Sequence, residues 1–274
     1  MPAPYAEVDI VMRRAVVVLS SVAVLFAGAN ARANDLAEVE RSGILRVLAG
    51  QGEQPEMFSF EGTGDPGFER ELVEGFARLH KVKIQIHAVK RWEDRIPQLQ
   101  KNEGDLVIGL VETPARRELI AFTSEVMPAR HVAVSYKPKA AVATLEQFRG
   151  EKVGVVKATS WAQAAFDAGI PPAKAEVFAT TDEMLEALKA QRISASVMSL
   201  SDLTLAMRRY SGLQAGVTLG EPVSAGWGLR KEDKALQAAL NEYLANARKG
   251  SSWSRLVVKY FGSQALQALG KTAP

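Results

Sequence analysis

The apolar run at residues 106–111 restricts the fold of this chain more than any other stretch. It reads Leu-Val-Ile-Gly-Leu-Val and carries no polar side chain. A run this short and this apolar is typical of a strand buried on both faces, as in parallel sheets covered by helices. We therefore predict that this strand lies inside an α/β domain, with helices before and after it in the sequence.

A helix start follows this strand directly. Thr113-Pro114 combines an N-cap residue with a proline at the first helical position. Arg116 and Arg117 then fall in the first turn, where the free N–H groups and the helix dipole disfavour a cation and favour an anion. The pair predicts a bound carboxylate held by a guanidinium fork. The alternative is that Glu112 and Glu118 pair with the two arginines on a solvated face.

The segments before this strand alternate between strand and helix patterns. Residues 44–49 and 82–89 have strand character, and residues 69–80 place apolar side chains at helical spacing. A second helix pattern covers residues 93–101. This β-α-β-α-β order predicts a parallel sheet with right-handed crossovers.

Three segments are expected to converge at one edge of that sheet. They are the loop at residues 50–60, Trp92 and the turn at residues 111–116, each of which follows a strand. Parallel sheets bind ligands beyond the carboxyl ends of their strands. This edge is therefore the predicted ligand site.

The second half of the chain shows the same alternation. A strand pattern at residues 152–156 is followed by Thr159 and Ser160, which begin a helix. Free N–H groups at such a start favour an anion, although the same residues also serve as an ordinary helix cap. The chain crosses between halves near residues 128–132 and 222–226. Two crossings predict a hinge that closes around a ligand.

Residues 1–33 have the composition of a cleaved secretory signal. Arg13 and Arg14 precede an apolar stretch, and Ala31-Arg32-Ala33 fits a small-x-small cleavage site. The alternative is an uncleaved membrane anchor, for which the apolar stretch is short. The chain has no cysteine, which excludes disulfides, thiolate chemistry and a lipid-bearing cysteine. We expect a periplasmic protein that is not a lipoprotein.

The charge balance argues against nucleic acid or a membrane surface as a partner. Removal of the signal takes away three arginines and two acidic residues, so 34 basic and 31 acidic residues become 31 and 29, a net charge of +2. His80, His87 and His131 have no metal-ligand spacing. No metal and no cofactor are expected.

Several short motifs, in the order in which they occur, resemble one known family. Residues 67–72 (Gly-Phe-Glu-Arg-Glu-Leu), 105–109 (Asp-Leu-Val-Ile-Gly), 113–116 (Thr-Pro-Ala-Arg) and 259–262 (Lys-Tyr-Phe-Gly) match the pattern of the family 3 extracellular solute-binding proteins. Members of that family are the periplasmic receptors of polar amino-acid ABC importers. The resemblance covers nearly the whole chain after the signal.

The resemblance implies an α/β, two-lobed periplasmic-binding-protein fold of type II. Each lobe is expected to be a mostly parallel sheet flanked by helices, with two hinge crossings between the lobes. The implied organisation is a signal peptide at residues 1–33, a first lobe from residues 34–129 plus 225–274, and a second lobe from residues 130–224.

The resemblance also implies roles for particular residues. Arg116 matches the arginine that holds the ligand's α-carboxylate, and Thr159 and Ser160 lie where the second lobe contacts the same carboxylate. Trp92 and Phe58 lie in segments that supply aromatic contacts to the ligand. For each aromatic residue, packing in the core or at the rim is the alternative.

The chain departs from the family pattern where the ligand's ammonium group is bound. The usual aspartate falls on Ser199, with Asp202 one turn later, and the usual serine or threonine falls on Val111 or Glu112. Glu53 stands where a loop aromatic is common. We expect the contact with the ligand's carboxylate to be kept and the contact with its ammonium group to be altered. Glu53, Glu112 or Asp202 would supply the altered contact. The predicted ligand is a small carboxylate or an atypical amino acid.

The predicted function is a monomeric receptor that closes on a small ligand and delivers it to the permease of an ABC importer. No enzymatic activity is expected. One alternative is an enzyme on the same scaffold that resembles cyclohexadienyl dehydratases, with Glu53 as its acid. Another is a ligand-sensing module for a membrane receptor. Because the chain ends at Pro274, we expect no lytic transglycosylase domain behind the binding domain.

Overall fold

The computed structural model describes residues 35–266, and the predicted signal peptide at residues 1–33 lies outside that range. The strands of the described residues are β1 (Ile44–Gly50), β2 (Lys83–Val89), β3 (Leu106–Val111), β4 (Ala121–Phe122), β5 (Met127–Ala129), β6 (His131–Tyr136), β7 (Val153–Val156), β8 (Glu176–Phe178), β9 (Ala195–Ser199), β10 (Leu213–Thr218) and β11 (Val223–Leu229). The helices are α1 (Leu36–Ser42), α2 (Phe68–Leu79), α3 (Arg95–Gln100), α4 (Pro114–Arg117), α5 (Leu145–Arg149), α6 (Ser160–Asp167), α7 (Thr181–Lys189), α8 (Leu200–Ala206), α9 (Lys234–Lys249) and α10 (Ser251–Phe261).

These elements form the predicted two-lobed α/β fold, with one sheet in each lobe. The first sheet has the order β2-β1-β3-β11-β4, with β5 beside β11, and the second has the order β10-β6-β9-β7-β8. Strands β1, β2 and β3 are parallel, as predicted, and so are β7, β8 and β9.

Both sheets are mixed, which corrects the expectation of mostly parallel sheets. Strands β4 and β5 run antiparallel to β11, and β11 runs antiparallel to β3. In the second sheet, β6 runs antiparallel to both β9 and β10. The strands that carry the chain from one sheet to the other enter or leave without a helical crossover. They therefore pair antiparallel with their neighbours.

The chain passes between the two sheets at two places. Only Arg130 separates β5 of the first sheet from β6 of the second, and residues 219–222 connect β10 back to β11. The two passages lie where the sequence places the crossings. The exact lobe boundaries at residues 130 and 225 stay a prediction.

A β-bulge interrupts β3 where it pairs with β11. Leu110 pairs with Gly226 and Val107 pairs with Gly228, so two residues, Ile108 and Gly109, stand opposite one residue of β11. Gly109 has φ of +66°, a left-handed conformation that side chains with a Cβ rarely adopt. The bulge lies near the carboxyl end of β3, at the edge where the site is predicted.

Gly67 fixes the position of the loop between β1 and α2. It has φ of +100°, and a Cβ built there would lie 2.6 Å from the carbonyl carbon of Met57 and 2.7 Å from the backbone nitrogen of Phe58. The loop backbone therefore packs directly on the start of α2. The same loop carries Glu53 and Gln54 towards the predicted site.

Gly67→Ala should destabilise the protein by roughly 2–4 kcal/mol, because it adds a backbone collision to an unfavourable positive φ. Gly64→Ala is the matched control, since Gly64 also has a positive φ (+88°) but has nothing within 4 Å of a built Cβ. Chemical denaturation of both variants measures the difference. Equal loss in the two variants would show that the close packing of the loop on α2 contributes nothing.

Candidate functional site

A cavity of about 60 Å³ lies at the carboxyl ends of the strands in both lobes. That volume is several times the roughly 10–15 Å³ needed by a single buried water, so the cavity has room for a small molecule. Among its lining residues are eight of the ten candidate ligand contacts that the sequence singled out, all except Phe58 and Glu112: Glu53, Trp92, Val111, Arg116, Thr159, Ser160, Ser199 and Asp202.

Arg116 lines this cavity without a carboxylate partner among residues 35–266. The hydroxyl of Thr113, the N-cap residue of α4, accepts a hydrogen bond from the Arg116 N–H at 3.3 Å, and Pro114 occupies the first position. The guanidinium donates to the carbonyls of Val111 at 2.7 Å and Ala158 at 3.3 Å. Burial and the charge of Arg95 lower the pKa of Arg116 to about 10, so it remains a cation at neutral pH.

Glu112 does not take part in this cavity. Its carboxylate pairs with the neighbouring Arg117 at 2.8 Å, and it lines a different cavity on the other side of α4. The expectation that Glu112 supplies a cation contact is therefore wrong. The alternative that an arginine pairs with Glu112 on a solvated face is therefore true of Arg117. Arg116 does not pair with Glu112.

Thr159 and Ser160 combine a capping role with a position on the cavity wall. The Thr159 hydroxyl accepts from the Ala162 N–H at 3.2 Å and donates to the Val156 carbonyl at 2.7 Å, so it is fully used in starting α6. The Ser160 hydroxyl lies 3.1 Å from Nε2 of the buried His131. Burial lowers the pKa of His131, which keeps the ring neutral at neutral pH.

A cluster of buried charges occupies the first-lobe wall of the cavity. Arg95, 1% exposed, donates to Glu53 at 2.8 Å and to the carbonyl of Ile108 at 3.0 Å. Burial raises the pKa of Glu53 to about 8, although the Arg95 charge opposes the shift. Burial also raises the pKa of Glu69 to about 7, while a hydrogen bond from the Gly109 N–H opposes it. Arg95 pairs directly with Glu53, and its charge also lowers the pKa of Glu69, with which it makes no ion pair among the described residues.

The bulge in β3 explains how these groups come together. It turns the Gly109 N–H out of the strand ladder, and that group donates to Glu69 Oε2 at 2.9 Å. A Cβ on Gly109 would collide with the Glu53 carboxylate and approach Arg95. Sequence reasoning missed Glu69 and Arg95. The available signals were an isolated glycine in a buried strand, which indicates a bulge or a close approach, and the position of Glu69 in the motif at residues 67–72.

Asp202 reaches the cavity from the second lobe through the cap of α8. Ser199 is the N-cap residue, and its hydroxyl accepts from the Asp202 N–H at 3.1 Å and donates to the Asp202 carboxylate. Gln54 of the first lobe donates to the Asp202 carboxylate at 3.1 Å and to its carbonyl at 3.0 Å. Burial raises the pKa of Asp202. Ser199 thus replaces the expected aspartate, and Asp202 supplies the carboxylate.

The two predicted aromatic contacts have different outcomes. Trp92 lines the cavity and stacks on Arg95, whose guanidinium carbon lies 3.7 Å from the ring centroid. Phe58 is 1% exposed and belongs to the first-lobe core, with its ring 5.4 Å from that of Phe60. The prediction that Phe58 contacts the ligand is therefore wrong, because its loop turns inward onto α2.

The sequence profile of the bacterial extracellular solute-binding proteins, family 3, matches residues 45–263. The chain belongs to this family. Membership implies a periplasmic or extracellular location. Within the described residues, none of the helices combines the length and the apolar character that crossing a membrane requires.

Three similar proteins give the family match more detail. An ancestral arginine-binding protein bound to arginine has 26% identity, a TM-score of 0.70, and coverage of 80% of this chain and 99% of that one. An ancestral amino-acid-binding protein described as a precursor of cyclohexadienyl dehydratase has 24% identity, a TM-score of 0.71, and coverage of 82% and 98%. A membrane-bound lytic murein transglycosylase F from Stutzerimonas stutzeri (strain A1501) is 24% identical over 236 residues.

The last relative shows that the chain matches part of a longer protein. The alignment covers 84% of this chain and 48% of the transglycosylase, so the chain spans about half the length of the curated relatives it matches. These comparisons overturn the expectation of no enzymatic activity, which is wrong. Curated relatives are named as enzymes, and a structural neighbour is the precursor of one.

Stability should fall as the pH rises from 6.5 to 8.5. The unfolded chain ionises its glutamates near pH 4.5, whereas the folded protein holds protons on Glu53 and Glu69 up to their raised pKa values of about 8 and about 7. The folded state therefore binds more protons across this window, and loses that advantage as the pH passes through the folded pKa values.

Glu53→Gln should flatten this dependence by on the order of 1–2 kcal/mol, because the amide carries no titrating proton. Glu61→Gln, an exposed glutamate of the same loop, is the control and should keep the wild-type profile. Unfolding free energies at five pH values provide the measurement. A Glu53→Gln profile that superimposes on wild type would contradict the raised pKa.

Proposed function

We propose that this chain is a receptor that captures one small amino-acid-like ligand between its lobes and delivers it to the permease of an ABC importer. One observation carries the proposal. Arg116, a guanidinium without an acidic partner among residues 35–266, and Asp202, a carboxylate from the other lobe, line the same small cavity. A ligand with a carboxylate and an ammonium group complements that pair.

Contacts between the two lobes support closure around the ligand. Lys157 pairs with Glu93 at 2.7 Å, and Gln54 bonds to Asp202 within the cavity. Arg116 itself donates across to the Ala158 carbonyl. Closure by rotation at the two strand passages would bring these groups together and remove the ligand from water, which strengthens each charged contact.

The comparisons support the ligand class and leave the transporter as part of the proposal. An arginine-binding relative with this fold is 26% identical, and the family is extracellular. We propose cleavage of residues 1–33 on export to the periplasm, lobes bounded at residues 130 and 225, and a monomer. In this proposal the loaded receptor presents its closed form to a membrane permease.

Arg116→Ala should weaken ligand binding at least 100-fold, because it removes the charge-assisted hydrogen bonds to the ligand carboxylate. Arg117→Ala is the matched control, since Arg117 is the next residue and pairs with Glu112 outside the cavity. A thermal-shift screen of amino acids and small organic acids identifies a ligand. Titration calorimetry of wild type and both variants then measures the affinities.

The two variants separate the carboxylate role from general electrostatics. Loss of binding in Arg116→Ala alone supports the role. Equal effects of the two substitutions, or undiminished binding by Arg116→Ala, would overturn it.

A second candidate function is acid-catalysed elimination in the same cavity. Glu53 favours it, because a carboxyl group with a pKa of about 8 remains protonated at neutral pH and can donate that proton to a leaving hydroxyl group. The hydroxyl leaves as water while the carboxylate on the substrate ring leaves as CO2, and the electron pair of the broken C–C bond completes the aromatic ring. Arg116 would hold the other carboxylate of the substrate beside Glu53. The similar precursor of cyclohexadienyl dehydratase supports this candidate.

Incubation with prephenate or arogenate tests this candidate directly. If the protein is a dehydratase, the aromatic product should form, and Glu53→Gln should reduce the rate at least 100-fold while the substrate still binds. Glu61→Gln is again the control. Absence of product with both substrates, in a preparation shown to bind an amino acid, would favour the receptor alone.

A further inference from the structure

We infer that the ligand carries a second cation, at the end of its side chain, that binds between Glu53 and Glu69. This inference rests on the proposed function and names the substrate class of the same site. It makes the preferred ligand an amino acid with a net charge of +1. The cavity wall of the first lobe, and not the Arg116 contact, determines this preference for a cationic ligand.

The formal charges of the cavity support this assignment. Its lining includes three carboxyl groups, those of Glu53, Glu69 and Asp202, and two guanidinium groups, those of Arg95 and Arg116. Once Arg116 is matched with the ligand carboxylate, three carboxylates face Arg95 alone. The deficit is two positive charges. An α-ammonium group and a side-chain cation supply those two charges, whereas a neutral amino acid supplies one.

The wall has two unused acceptors, Oε2 of Glu53 and Oε1 of Gln54, and one unused donor, Nε of Arg95, among the described residues. Arg95 engages only one oxygen of Glu53, and no other described residue bonds to the Oε2 atom of that carboxylate. Gln54 is 4% exposed and lines the cavity, yet its Oε1 has no partner among the described residues. A buried acceptor without a donor, as Oε1 of Gln54 is, is costly. A cationic group with several N–H bonds satisfies both acceptors together.

The alternative to a ligand cation is a proton on the glutamates. Two buried carboxylates close together cannot both stay ionised beside one arginine, so one holds a proton until another cation approaches. The charged groups that face Glu53 are Arg95 on α3, Glu69 on α2, Asp202 on α8 and Arg116 on α4. A ligand cation that binds here therefore displaces a proton, and a neutral ligand does not.

Matched ligand pairs test the inference. L-Arginine and L-citrulline have nearly the same shape and differ by one charge, and L-ornithine and L-glutamine form a shorter pair. The cationic member of the better-binding pair should bind at least tenfold more tightly at pH 7.5. Calorimetry in buffers with different ionisation enthalpies should show release of a fraction of a proton up to about one proton on binding that member, and less on binding its neutral partner.

Substitution of the wall then locates the effect. Glu53→Gln keeps the shape of the side chain and should reduce the affinity for the cationic ligand at least tenfold more than the affinity for the neutral ligand. Glu61→Gln on the same loop should change neither. A preference for the cation that survives Glu53→Gln unchanged would overturn the assignment to this wall.

The inference and the proposed function fail in different ways. If neutral or acidic ligands bind more tightly than cationic ones and Arg116→Ala abolishes that binding, the receptor function stands and the cation site is wrong. If no amino acid binds, or if binding does not depend on Arg116, the proposed function itself is wrong.

Discussion

The burial of Arg95 among carboxyl groups is the interaction on which the site depends. An arginine that is 1% exposed requires acceptors, and Glu53 and the backbone carbonyls after the middle of β3 provide them. Trp92 covers the planar face of the same guanidinium. Arg95 therefore joins the loop after β1, the turn before α3 and the bulge in β3 into one wall. Movement of any of these segments would leave a buried charge unpaired.

The elements of the first lobe could be predicted because their signals are local. The strand at residues 106–111 and the helix start at Thr113-Pro114 occur where the sequence indicates, since apolar runs and caps act through near neighbours. The direction of the edge and crossing strands was not predictable in this way. Their pairing depends on which lobe the chain enters next, and no residue within those strands encodes it.

The site residues also separate into those with a local sequence signal and those placed by long-range strand pairing. Arg116 and Asp202 could be identified because each lies at a helix start that follows a strand, and such positions face the carboxyl edge of a sheet. Glu69 and Arg95 lie within helical sequence that reads as an ordinary polar face. They turn inward because Gly109 leaves space and a free N–H group at the bulge, a consequence of pairing with distant β11. The prediction that Phe58 contacts the ligand is wrong because it was made from a sequence motif. The motif does not show that the Phe58 ring packs on Phe60.

The hydrogen bonds from Gln54 to Asp202 have a consequence for any protein that recognises the closed form. Because an amide of one lobe donates to the carboxylate and the carbonyl of a residue in the other, this contact stabilises the arrangement in which the lobes meet. If the chain is the proposed receptor, a membrane partner that senses lobe geometry alone would respond to this contact as well as to a bound ligand. The combined strength of the contacts between the lobes, those of Lys157 with Glu93 and of Arg116 with Ala158 included, then sets the background against which the contribution of a ligand to closure is measured.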